Sequence, residues 1–127
     1  MARFTLLIDS PPEHYNAHFN ALAYAKAAIA QGHSIEQVFF FQQAVTIADA
    51  HLDWPADEWC PQHHWQQFAK QYQVPLDICS AAAQRRGLGG AESLEEAEQV
   101  LLAKYFKIGG LGILVKASIN SDRVVQF

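Results

Sequence analysis

Two cysteines are the side chains in this chain best suited to covalent chemistry, and they sit in very different company. Cys79 follows the apolar run Val74 to Ile78 and precedes the alanine-rich stretch Ser80 to Arg86. That order places it where a strand gives way to a helix, a position at which unpaired backbone N–H groups and the helix dipole favour negative charge. A thiolate, or the persulfide anion formed when a thiolate carries a second sulfur, gains from such a setting. Arg85 and Arg86 add positive charge, but they lie roughly 10 Å along the helix axis from Cys79. The competing reading is that Cys79 is a small buried hydrophobe that finishes a strand.

Cys60 stands in Cys60-Pro61-Gln62-His63-His64, a short cluster that invites a metal reading. It lacks a fourth ligand, and adjacent histidines on one helix do not converge on one ion, so an exposed helix start is the plainer interpretation. Asp9-Ser10-Pro11 ends the first apolar run and either lines the site or simply turns the chain. The run Gly109-Gly110-Leu111-Gly112 lacks both dinucleotide-fold spacing and the Lys-Ser/Thr of a phosphate loop, which leaves helix entry or close packing as its role.

The elements that must position these residues follow from periodicity. Phe4 to Ile8 reads as a buried strand ended by Asp9-Ser10-Pro11-Pro12. Tyr15, Phe19, Leu22, Ala25 and Ile29 recur at helical spacing up to a stop at Gly32. Ile35 to Phe41 is a second strand with the composition of one covered on both faces. Val45 to Glu58 reads as an irregular excursion. His64 to Tyr72 is helical, with Trp65, Phe68 and Tyr72 on one stripe, and Val74 to Ile78 is a third strand leading into Cys79. A helix is expected over Ser80 to Arg86 and another over Leu94 to Lys104, the latter opened by a capping box at Ser93 and Glu96. Ile113 to Ile119 is helical and Asp122 to Phe127 a last strand. Strands alternating with helices predict an α/β fold with a mostly parallel central sheet and helices on both faces. Asp9 and Cys79 are then expected at the carboxyl ends of the strands, near a topological switch point.

The chain has 127 residues, half of them apolar, and a formal charge of −4. That length suits one domain, residues 1–127. No Lys/Arg-rich run exists to neutralise a series of phosphates, which argues against direct nucleic-acid binding. No apolar stretch approaches the roughly twenty residues of a membrane span, and the N-terminal run is too short for a secretory signal, so a cytoplasmic location is expected. In a reducing compartment the two cysteines are free thiols. Trp54, Trp59 and Trp65, with Phe39 to Phe41, read as core or subunit-interface aromatics, an interface being favoured.

The segment Ile78-Cys79-Ser80-Ala81-Ala82-Ala83-Gln84-Arg85-Arg86-Gly87 closely resembles the active-cysteine segment of the DsrE/TusD family of sulfur-relay subunits. Gly32-His33 with Val38-Phe39-Phe40 resembles the family's second-strand signature. Gly110-Leu111-Gly112 followed by Asp122 to Phe127 resembles its ending. The resemblance implies a DsrE-like three-layer α/β sandwich with flavodoxin-like relatives, and it makes Cys79 the persulfide-bearing catalytic residue of a sulfurtransferase. It further implies a heterohexamer with TusB-like and TusC-like subunits, a TusA-like sulfur donor and a TusE-like acceptor, serving 2-thiolation of the tRNA wobble uridine. The alternatives are a DsrE-type role in sulfur oxidation and a non-catalytic assembly subunit. A nucleotide-binding flavodoxin-like domain is a further reading. Persulfide exchange between thiols requires no metal or organic cofactor. Ala91 to Lys107 and the Cys60 cluster match no part of the family pattern.

Overall fold

The computed structural model describes residues 1–89 and 101–127. Five strands form one sheet: β1 (Arg3–Ile8), β2 (Ser34–Phe40), β3 (Leu76–Cys79), β4 (Phe106–Gly109) and β5 (Arg123–Gln126). Their order is β4-β3-β2-β1-β5, and every pairing is parallel. Among the described residues four α-helices accompany them: α1 (Tyr15–Ala30), α2 (Pro61–Tyr72), α3 (Ser80–Arg85) and α4 (Leu111–Ile119), with a 3-10 helix over Gln42–Ala48. The layered α/β architecture expected from the alternation of elements is therefore present, and the sheet is wholly parallel.

β4 is the element that the sequence reading passes over. Phe106-Lys107-Ile108-Gly109 is four residues long with an exposed lysine inside it, too short and too interrupted to stand out as an apolar run. Its addition makes Gly109 a strand end, and the glycines after it the entry to α4. Of the expected helix over Leu94 to Lys104, positions 94–100 fall outside the described residues.

Side-chain alternation divides the sheet into two faces. Phe4, Leu6 and Ile8 share one face with Val38, Phe40, Leu76 and Ile78 through the register of β1, β2 and β3. This face takes α1 and α2: Phe4 meets Tyr24 edge-on at 5.6 Å, and Phe40 meets Trp65 at 5.4 Å. Trp65, Phe39 and Phe40 are fully buried. The interface favoured for these aromatics is thus corrected: they form this chain's own core, because α2 lays Trp65 directly on β2. Trp54 and Trp59 remain half-buried.

The opposite face carries Thr5, Gln37, Phe39 and Asp77, with α4 above them. The δ-methyl of Ile113 lies 2.9 Å from where a Cβ on Gly109 would stand, so a side chain there would have to push aside the end of the Ile113 side chain. Thr5 Oγ1 and Ser121 Oγ, 2.7 Å apart, tie the end of α4 to β1. None of the residues of α4 is buried.

Candidate functional site

Cys79 is the last residue of β3 and the residue immediately before α3. It is 8 % exposed and free. Its backbone is extended, at φ −63° and ψ 124°, and its side chain makes no capping bond to the helix. The N–H groups of the first turn of α3, which follow Cys79 directly in the chain, have no intrahelical partner. Small residues allow this arrangement: Ala82 and Ala83 are buried where α3 meets the core. Gly87, at φ +74°, turns the chain away, and Leu88 N–H donates to Ala83 O at 2.9 Å.

Across the ladder Cys79 pairs with Gly109 of β4, so no β4 side chain stands directly beside it. Two residues earlier, on the same face, Asp77 is buried and accepts a 2.7 Å hydrogen bond from Gln37 Nε2. Burial raises the Asp77 carboxyl above the ordinary carboxylate range, while the Gln37 bond and the charge of Lys107 oppose that shift. Among the described residues Gln37 Oε1 finds no partner. Neither residue figures in the sequence reading, although a carboxylate inside the strand Leu76-Asp77-Ile78-Cys79 is a legible signal of a buried polar pair.

Arg86 is engaged elsewhere than at the cysteine. Arg86 Nη1 donates to Ala82 O at 3.1 Å, folding back on its own helix. Asp9 and Ser10 stand at the carboxyl end of β1, as expected, but the switch point lies between β1 and β5. There Asp9 N–H donates to Phe127 O, and Gln126 Nε2 donates to Asp9 Oδ2 at 3.0 Å. Cys79 is two strands away, about 10 Å across the sheet. The expectation that both residues sit at the switch point is corrected in this respect: the chain adds β2, β3 and β4 in one direction before it returns to β5.

Ser10 has a structural task. Its carbonyl oxygen lies 2.9 Å from His18 Nε2, and Trp65 Nε1–H donates to His18 Nδ1 at 3.0 Å. Indole nitrogen only donates, so Nδ1 is the acceptor and Nε2 carries the proton. This buried neutral histidine pins the β1–α1 turn to α2, and burial lowers its proton affinity. His18 falls on the buried stripe of α1 with Ala21, Leu22 and Ala25, but its polar type hides it in the sequence.

The Cys60 cluster resolves as a helix start. Cys60 precedes α2, Pro61 takes the first helical position, and His64 bonds Cys60 O through Nδ1 at 2.9 Å while stacking on Trp59 at 4.5 Å. Among the described residues no group of His, Cys, Asp and Glu is arranged to hold a metal ion.

A family model described as DsrE/DsrF-like matches residues 2–127. The chain belongs to the DsrE/DsrF-like family. It is 44 % identical over 123 residues to a sulfurtransferase TusD homolog of Pasteurella multocida, covering 97 % of this chain and 98 % of that one. It is 36 % identical to a putative sulfurtransferase DsrE of Allochromatium vinosum, over 98 % of each chain. Among solved structures the ychN protein from E. coli superposes with a TM-score of 0.78 at 22 % identity, over the full length of both chains. The DsrE-like fold and the sulfurtransferase class implied by the sequence resemblance therefore stand. Among the described residues no helix is long and apolar enough to cross a membrane.

Proposed function

We propose that this protein is a sulfur-carrier subunit in which Cys79 receives and hands on persulfide sulfur. The observation that carries the reading is the placement of a free cysteine at the end of β3 and immediately before the start of α3. In loading, the Cys79 thiolate attacks the outer sulfur of a donor persulfide. The donor's S–S bond breaks and its own thiolate departs. In unloading, an acceptor thiolate attacks the outer sulfur now on Cys79, and the Cys79 thiolate leaves. No electrons are gained or lost overall, so the cycle needs no redox partner.

The donor is a TusA-like protein and the acceptor a TusE-like one, within a complex that includes TusB-like and TusC-like subunits. The outer face of α4 supports a subunit role: Leu111, Val115 and Ile119 recur every fourth residue and are 61 %, 55 % and 77 % exposed, a stripe that water covers poorly. The pathway served is 2-thiolation of the tRNA wobble uridine, in the cytoplasm. The TusD-named relative at 44 % identity favours this over sulfur oxidation, the reading that the DsrE-named relative at 36 % keeps in play.

Complementation tests the pathway. In a bacterium lacking its own TusD, this chain is expected to restore 2-thiouridine in tRNA, read by retardation in mercury-containing gels, and Cys79→Ser is not. A wild-type chain that is expressed with its partner subunits yet restores none contradicts the tRNA assignment.

A further inference from the structure

A groove far from Cys79 gathers most of the lysines of an acidic chain. It runs between α2 and the segment entering β4 as two adjoining hollows of about 360 and 300 Å³ that share Lys70 and Tyr105. Lys107 lines the first hollow, and Lys104 with His63 lines the second. Three of the five lysines in a chain of formal charge −4 thus converge on one surface. Among the described residues no Asp or Glu lines either hollow, and none of these lysines forms an ion pair. The charge of Lys107 acts on the carboxyl of Asp77, its neighbour across the β3–β4 ladder.

The backbone is bent to build this surface. Tyr105 holds φ at +77°, a conformation that bulky side chains rarely adopt and that persists where surrounding structure enforces it. Its ring borders both hollows, and Lys104 Nζ stands 5.2 Å from the ring centroid. Gln66 Nε2 donates to Lys104 O at 3.1 Å, fastening this segment to α2.

We propose that this groove docks an acidic polypeptide segment of a partner protein. Charge complementarity selects the sign. The amides of Gln66, Gln67 and Gln73 and the ring of Tyr105 offer a peptide hydrogen bonds and an apolar contact. Three lysines and a histidine fall short of the roughly six to ten phosphate contacts typical of nucleic-acid binding. The groove lies at the amino ends of β3 and β4, whereas Cys79 ends β3 about 13 Å beyond Pro75. It is therefore a hold separate from the sulfur site, and the inference does not depend on what Cys79 does.

Fluorescein-labelled hexaglutamate, titrated with the full chain and read by anisotropy, tests it. Saturable binding is expected that weakens with added salt. The K70Q/K104Q/K107Q variant should bind about tenfold more weakly, the sum of three exposed ion pairs, whereas K26Q/K116Q should match the wild type. Circular dichroism confirms that each variant is folded. Equal affinity of the groove variant, equal binding of labelled hexaglutamine, or displacement by poly-uridine or millimolar inorganic phosphate at lower concentration than unlabelled hexaglutamate overturns the proposal.

Discussion

Acidification below neutral pH should loosen this fold through His18. The ring is fully buried, accepts from Trp65 through Nδ1 and donates to Ser10 O through Nε2. A second proton must go on Nδ1, which turns an acceptor into a donor facing another donor and leaves a charge in the core. Burial accordingly lowers the folded-state proton affinity below the ordinary value of 6.5. The unfolded chain then takes up the proton first as pH falls. The stability that neutral His18 contributes is intact above about pH 6.5 and is lost progressively as pH falls towards the folded-state value. The limiting slope for one group is about 1.4 kcal/mol per pH unit. Between pH 6.5 and 5 the loss therefore reaches at most about 2 kcal/mol, a large share of the roughly 5–15 kcal/mol by which small proteins are stable.

The assay is urea unfolding of wild type and His18→Gln at pH 8, 6.5 and 5, at values chosen to bracket the ordinary histidine range. Glutamine keeps one acceptor and one donor but cannot titrate. It should cost about 1–2 kcal/mol at pH 8 through poorer geometry, and the gap should narrow or reverse at about pH 5. The five other histidines are common to both proteins and cancel in the comparison. Parallel pH dependences for the two proteins would refute the assignment of His18 as the neutral, buried acceptor.

Other consequences follow from the same packing. Trp65→Phe removes the donor to His18 and leaves a gap against Phe40, and should lower stability by about 2–4 kcal/mol in the same urea assay. Asp77 is held above the ordinary carboxylate range chiefly by burial, so its ionisation costs stability as pH rises through the folded-state value. Asp77→Asn, which still accepts from Gln37, should therefore melt higher than wild type at about pH 8, with the difference closing near pH 4; a variant destabilised at both contradicts this. Replacing Leu111, Val115 and Ile119 together by serine should change monomer stability by no more than about 0.5 kcal/mol per site. The same change should abolish co-elution with TusB-like and TusC-like subunits on size exclusion, and retained co-elution would remove α4 from the assembly surface.

The parts of the fold legible in the sequence are those in which local pattern and tertiary burial agree. β1 and α1 begin and end where apolar spacing, proline and Gly32 place them, and Cys79 stands at the strand-to-helix junction that its neighbours imply. β4 was hidden because an edge strand of four residues keeps Lys107 in solvent and carries little periodic signal. The switch point was misplaced because strand order is a long-range property that alternation of elements does not encode. His18 and the Gln37–Asp77 pair escaped for a related reason: each is buried by partners distant in sequence, and a polar residue on an apolar stripe reads as solvent-facing until those partners are known. The aromatic run Phe39 to Phe41 with Trp65 reads as an interface in the sequence because residue type alone does not separate a core from an interface, whereas Phe39, Phe40 and Trp65 are fully buried.

The central claim is that Cys79 carries sulfur, and intact-mass analysis after incubation with a persulfide donor addresses it directly. The account predicts a reducible gain of about 32 Da, the mass of one sulfur atom, on wild type and on Cys60→Ser, and none on Cys79→Ser. No gain on wild type in the presence of its partner subunits, or a gain that survives Cys79→Ser, would contradict it.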